Sequence, residues 1–203
     1  MNEVITDLAT LEALYGPVLP AARDKVTDFL TEPARAFIAA SPFLILTTNG
    51  SLGPEASPRG DPAGFCRVMD DRRLLLPDRR GNNRIDALRN ILSDPCVGLL
   101  FLIPGIGETL RVQGLARILR DEALADSFEI AGTRPTTILD IEVRQVFYHC
   151  ARSINRAALW KPEAQTPRSA VPTVGAFLAA ATEGRRAAAA EDAGYAERQR
   201  ELY

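Results

Sequence analysis

The segment with the most chemical potential is LLLPDRRGNNR at residues 74–84, which runs from an apolar strand into a polar loop. Helical spacing follows from Ile85, and either Asn82 or Asn83 is a good N-cap, so a helix is predicted over residues 83–93. The first turn of such a helix offers free N–H groups, and three arginines lie nearby in sequence. That combination suits a phosphate. The alternative is an ordinary helix cap with solvated arginines.

A second segment, SPRGD at residues 57–61, places an arginine between a proline and a glycine. Pro58 fixes φ, and Gly60 lets a flat ligand approach the backbone closely. The guanidinium of Arg59 stays charged and planar, so it suits a ligand edge that becomes negative. The alternative is an ion pair of Arg59 with Asp61 or another carboxylate, which would only shape the loop.

The remaining reactive side chains form no arranged catalytic set. Cys66, Cys96 and Cys150 are far apart in sequence, and their odd number argues against a disulfide framework and for a reducing compartment. No cluster has metal-ligand spacing, and no protein acid or base stands out. His149 is the one histidine; an axial haem-ligand role is the alternative to the favoured packing or hydrogen-bonding role.

Composition narrows the choice of partners. The chain has 203 residues, 46 % of them hydrophobic and 25 % charged, which predicts one domain with a full core. A net charge of −2 gives no basic field for nucleic acid or for an anionic membrane surface. The N-terminus lacks a signal-peptide pattern, and the longest apolar stretch is far shorter than a membrane span. We therefore expect a cytoplasmic protein.

Hydrophobic periodicity indicates the elements that must position these residues. Residues 1–40 are expected to be helical, and short strands are expected from residue 43, including 96–103, 109–119 and 136–150. The strand at 96–103 is nearly all apolar, which predicts burial on both faces. Shorter helices are expected at 83–93, 121–131 and 151–160. A proline-punctuated linker from residue 161 leads to one C-terminal helix from about residue 173. Together these elements predict a small barrel with helical additions.

The order of the motifs SPRGD, LLLPDRRGNNR, VGLLFLIP and ETLRVQGLARI resembles the FMN-binding core of the pyridoxamine-phosphate-oxidase-like superfamily. The resemblance covers about residues 43–160, and the additions at 1–40 and 161–203 are similar to one FMN-dependent branch of it. It implies a mainly β fold with flanking helices, a six-stranded antiparallel split barrel over a single domain 1–203. It also implies a homodimer with FMN at the subunit interface.

The resemblance further implies roles for particular residues. Residues matching Ser57, Arg59 and Asp61 run beside the isoalloxazine ring, and those matching Asn82, Asn83 and Arg84 hold the phosphate. Thr109 and Arg111 match a strand that reaches the flavin from the partner subunit. Arg152 and Arg156 lie one helical turn apart and can close on that same cofactor, although a solvated helix face is the alternative.

The function implied is that of an FMN-dependent oxidoreductase, in which the flavin carries the chemistry. True pyridoxamine-phosphate oxidases carry an Arg-x-His motif near the C-terminus, and this chain ends in AERQRELY. Oxidation of pyridoxamine phosphate itself is therefore not expected, and the substrate and electron donor stay open. The alternatives are a flavin carrier or redox sensor without turnover and, further off, a haem-binding protein or a deazaflavin-dependent reductase.

Overall fold

Eight antiparallel strands form one continuous sheet in the computed structural model, which describes residues 4–200. The terminal residues 1–3 and 201–203, part of the expected helical additions, lie outside the described residues. The strand order is β3-β2-β6-β7-β8-β5-β4, and β1 pairs with β8. The strands are β1 (Val26–Thr27), β2 (Phe43–Gly50), β3 (Gly53–Gly60), β4 (Arg67–Asp70), β5 (Arg73–Asp78), β6 (Cys96–Leu102), β7 (Thr109–Leu119) and β8 (Thr137–His149).

The sheet curls until its two ends meet through side chains. Strand β3 is one edge and β5 lies next to the other edge, yet Arg59 Nη2 is 3.7 Å from Asp78 Oδ1. Immediately after these strands, Arg79 Nε donates to Asp61 Oδ2 over 2.6 Å. Ion pairs rather than a backbone ladder therefore join the two ends, as in a split barrel. The expected fold class is confirmed, with eight strands in the described residues instead of six.

One face of the sheet holds the core. Leu44, Leu46, Leu99 and Phe101 are each at most 1 % exposed and alternate with partly exposed residues along β2 and β6. The prediction that strand 96–103 is buried on both faces is wrong for the single chain. Its outward residues, represented by Leu100, are only half-buried, and Leu100 lines an open cavity rather than a packed core.

The helices flank this sheet, and several differ from expectation. They are α1 (Leu8–Tyr15), α2 (Pro20–Asp24), α3 (Glu32–Ala40), α4 (Asp86–Ser93), α5 (Glu122–Ser127), α6 (Arg152–Arg156), α7 (Val174–Ala181) and α8 (Ala188–Arg198). Residues 26–27 are a strand rather than helix, because their backbone pairs with β8. The single C-terminal helix expected from residue 173 is two helices. No helix within residues 4–200 is long and apolar enough to cross a membrane.

Candidate functional site

A cavity of about 650 Å³ opens on the outer face of the sheet, between β6, β7 and the start of α6. That volume is in the range of small-molecule and cofactor sites. The cavity brings together four residues predicted to bind the cofactor: Thr109, Arg111, Arg152 and Arg156. It is also lined by residues that were not predicted to bind the cofactor: Thr47, Gly98, Leu99, Leu100, Gln113, His149, Cys150 and Ser153.

The cavity is cationic. It is lined by Arg111, Arg152 and Arg156, and no aspartate or glutamate is among the described residues that line it. The Nε atom of Arg111 is buried and has no hydrogen-bond partner. Its guanidinium carbon lies 5.0 Å from the ring centroid of Phe147, and its Nη2 is 3.4 Å from Gln145 Oε1. A buried donor without an acceptor is costly, so the site suits a ligand that carries an acceptor or a negative charge.

The surroundings of the cavity change the pKa of His149, which lines it. Burial, followed by the charges of Arg111 and Lys25, lowers the pKa of His149 below its ordinary value. His149 is held edge-on against Phe147, with 4.6 Å between ring centroids. The lowered pKa favours the neutral imidazole, which can donate one hydrogen bond and accept another.

Loop contacts hold α6 over the cavity. Trp160 Nε1 donates to the carbonyl of Ile106 over 2.7 Å and ties the segment after α6 to the β6–β7 loop. Gly107 packs against the start of α6 so closely that a Cβ there would lie 2.6 Å from the Cβ of Ala151. On the cavity floor, a Cβ at Gly98 would lie 2.5 Å from Thr47 Oγ1. These glycines keep the cavity open and bring α6 close to it.

The SPRGD segment lies on the opposite, inner face of the sheet. Arg59 pairs with Leu44 and Ser57 with Leu46 in the β2–β3 register, and directly opposed residues share a face. Arg111 instead pairs with Leu100, whose neighbours Leu99 and Phe101 point into the core. Within one chain, therefore, the two groups of predicted flavin residues are separated by the sheet.

Arg59 is fixed by several contacts on that inner face. Its Nη1 donates to Ser57 Oγ at 3.1 Å and to the carbonyl of Pro58 at 3.0 Å, and Nη2 approaches Asp78. Burial raises the pKa of Asp78, and the Arg59 charge opposes that rise. Asp61, whose side chain is 1 % exposed, is held by Arg79. The segment thus presents Arg59 and Ser57 as a preformed polar unit.

The loop at residues 79–85 differs from the prediction. Helix α4 begins at Asp86, so neither Asn82 nor Asn83 is its N-cap; Ile85 takes that position with a φ of 52° and no side-chain cap. The reason is local: Asn82 Oδ1 accepts the Arg84 N–H over 3.0 Å, and Asn83 adopts a φ of 60°. The asparagines therefore fold the loop rather than cap the helix. The Arg84 guanidinium is exposed and pairs with Asp86 at 2.7 Å.

Sequence reasoning missed some of the residues around the cavity. The residue types alone predict a packing, hydrogen-bonding or haem-ligand role for His149 and no role in the site for Gln113 or Cys150. The alternation 109, 111, 113 along β7 does place Thr109, Arg111 and Gln113 on one face. Finding His149 required the β7–β8 register, in which it stands opposite Thr109.

The curled antiparallel sheet is that of a split barrel, and a cavity lined by three arginines lies on its outer face. The sequence model of pyridoxamine 5'-phosphate oxidase matches residues 30–150. The chain therefore belongs to the pyridoxamine 5'-phosphate oxidase family. No curated protein matches it.

Solved structures that are similar to this chain share low sequence identity with it. HupZ of Group A Streptococcus is 19 % identical, with 58 % of this chain and 92 % of that one covered and a TM-score of 0.46. A Clostridium acetobutylicum protein related to general stress protein 26, of the pyridoxinephosphate oxidase family, is 16 % identical. The match covers 58 % of this chain and 85 % of that one, with a TM-score of 0.46. A FAD-binding protein of Mesorhizobium loti is 15 % identical. The match covers 60 % of this chain and 93 % of that one, with a TM-score of 0.39.

Proposed function

We propose that this chain forms a homodimeric flavoprotein that binds FMN between its subunits and acts as an oxidoreductase. The observation that carries the proposal is the division of the expected flavin residues between two faces of one sheet. A two-fold axis can place Ser57 and Arg59 of one subunit against the outer cavity of its partner. Both groups then contact one ligand, which a single chain cannot achieve.

Each group fits a different part of FMN. The exposed loop of Asn82, Asn83 and Arg84 offers backbone amides and a guanidinium to the phosphate, with Arg84 released from its exposed pair with Asp86. Ser57 and Arg59 face the isoalloxazine ring from the same subunit. From the partner subunit, Thr109 and Arg111 approach the flavin, and the unpartnered Nε of Arg111 receives an acceptor. Arg152 and Arg156 close the outer side.

When bound, the flavin supplies hydride and electron transfer. The residues of the chain bind and orient it, and they stabilise the negative charge that reduction adds to the ring. Arg59 is our first candidate for that electrostatic role and Arg111 the second, because a fixed guanidinium acts strongly in a partly buried site. Neutral His149 can hydrogen-bond a ligand in the cavity without adding charge.

The outer face also supports the dimer. Ile45 and Leu100 are paired neighbours on that face and are only half-buried in the single chain. Apolar surface of this kind marks an interface when it is contiguous. We therefore assign this face to the contact with the second copy.

The spectrum and mass of the cofactor that co-purifies test the proposal. We expect the visible absorption of an oxidised flavin and, after denaturation, the mass of FMN at up to one molecule per chain. A haem spectrum, a deazaflavin mass, or failure to take up added FMN would contradict it. The flavin assignment and the oxidoreductase assignment then need separate tests.

A non-catalytic flavin carrier or redox sensor is the second candidate. It is favoured by the cavity lining, in which the described residues include no carboxylate to serve as acid or base. Anaerobic mixing with NADH or NADPH separates the two. Bleaching of the bound flavin at a rate above that of free FMN indicates an oxidoreductase, whereas an unchanged spectrum indicates a carrier.

A further inference from the structure

The ring of Phe147 on β8 contacts positively charged side chains from both sides of that strand. In the register of the sheet, Phe147 stands opposite Arg111 on β7 and opposite Val26 on β1. The Arg111 guanidinium carbon lies 5.0 Å from the ring centroid. Lys25, the residue before β1, places its Nζ atom 4.6 Å from the same centroid. Both distances are those of cation–π contacts, so one ring attracts two cations.

Arg111 lacks the carboxylate partner that often holds a half-buried arginine. Within residues 4–200, its Nη2 donates to Gln145 Oε1 over a long 3.4 Å, and its buried Nε has no hydrogen-bond partner. A carboxylate would fix the guanidinium, but it would also offset its charge. An aromatic ring attracts a cation through its quadrupole and carries no net charge. Phe147 can therefore hold Arg111 and leave its charge and its Nε donor for a ligand.

Neighbouring side chains keep the half-buried ring of Phe147 in place. His149, two residues further along the same face of β8, packs edge-on against it with 4.6 Å between the ring centroids. On the other side, Lys25 and the pairing of Val26 with Phe147 bring the start of β1 against the ring. Lys25 and β1 precede residues 30–150, which match the family model. The N-terminal segment of this chain therefore helps to fix the ring that contacts Arg111.

We propose that Phe147 is a positioning residue for Arg111, whose guanidinium it holds at the cavity between β6, β7 and α6. Phe147 is not among the described residues that line this cavity, whereas Arg111 is, so the ring acts on a ligand through the guanidinium. The contact between the two side chains exists without any ligand. Its effect on FMN rests on the proposed function. The contact and its effect are therefore tested separately.

NMR spectroscopy of the full chain, purified without flavin and carrying isotope-labelled arginine, tests the contact. The Nε–H signal of Arg111 is identified by its loss in Arg111→Gln. We expect the ring current of Phe147 to shift this signal. The shift should persist in Phe147→Tyr, which keeps a ring, and disappear in Phe147→Leu. An Arg111 signal at the same position in Phe147→Leu as in the wild type would overturn the proposal, whether or not the protein binds FMN.

A double-mutant cycle with FMN tests the effect on the site. We expect Phe147→Leu to weaken FMN at least about threefold in the wild-type background and to have almost no effect in an Arg111→Gln background, because the ring acts only through the guanidinium. Phe147→Tyr should restore the affinity. Tyr148→Leu removes an exposed ring from the opposite face of β8 and should leave the affinity unchanged.

The two backgrounds separate positioning from a merely structural role. Equal losses of FMN affinity on Phe147→Leu with and without Arg111 would overturn the proposal, and so would a Phe147→Tyr variant as weak as Phe147→Leu. Circular dichroism of each variant checks that it is folded. A wild-type protein that shows the ring-current shift but binds no FMN would contradict the proposed function and still confirm that Phe147 holds Arg111.

Discussion

Arg59 has one role in the fold, through its ion pair with Asp78, and a second, proposed role in the flavin site. It joins the two ends of the sheet through Asp78, and both side chains are about one-fifth exposed, at 21 % and 20 %. A pair with that exposure contributes only modestly to stability. In the proposed flavin site the same guanidinium faces the ring edge that becomes negative. Stability and redox potential therefore need to be measured separately.

We predict that Arg59→Gln lowers the midpoint potential of bound FMN by about 30 mV or more, because the reduced anionic ring loses a positive neighbour; 30 mV is about 1.4 kcal/mol for a two-electron couple. Asp78→Asn is the matched control. It breaks the same ion pair but keeps the guanidinium, so the potential should not fall. Spectroelectrochemical titration of the three proteins measures this. A fall of equal size in both variants, or an unchanged potential in Arg59→Gln, would remove Arg59 from the electrostatic role.

Arg84 provides the test of phosphate binding. We predict that Arg84→Ala weakens FMN by about 1.5–3 kcal/mol, the range for a hydrogen bond to a charged group. Riboflavin lacks the phosphate and should bind almost equally to both proteins. Arg89→Ala, an exposed arginine further along α4, is the control. Fluorescence titration gives all the constants, and an equal loss for FMN and riboflavin would exclude the phosphate role.

Three strands are clamped together by one buried carboxylate. Asp140 on β8 is 3 % exposed; Arg73 on β5 donates to it from Nε over 2.6 Å, and Arg117 on β7 from Nε over 2.7 Å. Burial alone would raise the pKa of Asp140, but the hydrogen bonds and charges of the two arginines outweigh it and hold the pKa below its ordinary value. The clamp fixes β5 and β7 on both sides of β8.

We predict that Asp140→Asn lowers the free energy of unfolding at pH 7 by about 2 kcal/mol, a value reduced because both arginines are substantially exposed. Because the folded-state pKa is depressed, this contribution is present above the unfolded pKa, about 3.9, and is lost as pH falls through the folded pKa. The difference between the two proteins should therefore shrink below about pH 4. Urea unfolding at several pH values measures it. Glu142→Gln, an exposed neighbour, should change little, and a difference that does not vary with pH would contradict the clamp.

Elements with a strong local pattern could be predicted from the sequence. Apolar and polar residues largely alternate over residues 109–119, and these residues form β7 with the same bounds. The helix near 83–93 was found from its apolar spacing, but its start was placed too early. The left-handed backbone at Ile85 ends the exposed loop in which Asn82 accepts the Arg84 N–H, and it leaves no pattern in the residue types. The two-residue strand β1 was missed because only its pairing with β8 makes it a strand.

The candidate site, too, could be predicted from the sequence only in part. The motif residues could be singled out from their types and order, and the structure brings Thr109, Arg111, Arg152 and Arg156 to one cavity. That Ser57 and Arg59 lie on the other face could not be predicted. Face depends on strand register, and a shift of one residue would exchange the two faces.

Within residues 4–200, Ile45 and Leu100 on the side of the cavity are only half-buried. We predict that the 22.1 kDa chain sediments as a dimer at low micromolar concentration. Leu100→Asp, in the half-buried outer face, should shift it to monomer and weaken FMN in parallel, while Leu52→Asp, in a fully exposed turn, should do neither. Sedimentation equilibrium with FMN titration tests this. A monomer of wild-type affinity for FMN would contradict it.

Mixed dimers test most directly whether two subunits share one flavin site. A subunit carrying Arg84→Ala and a differently tagged subunit carrying Arg111→Ala are co-expressed, and the mixed dimer is purified through both tags. If each site takes Arg84 from one subunit and Arg111 from the other, one site in the mixed dimer loses both residues and the other keeps both. FMN titration should then show one site of wild-type affinity per mixed dimer, while both parent dimers bind weakly. A mixed dimer without any site of wild-type affinity would contradict the shared site.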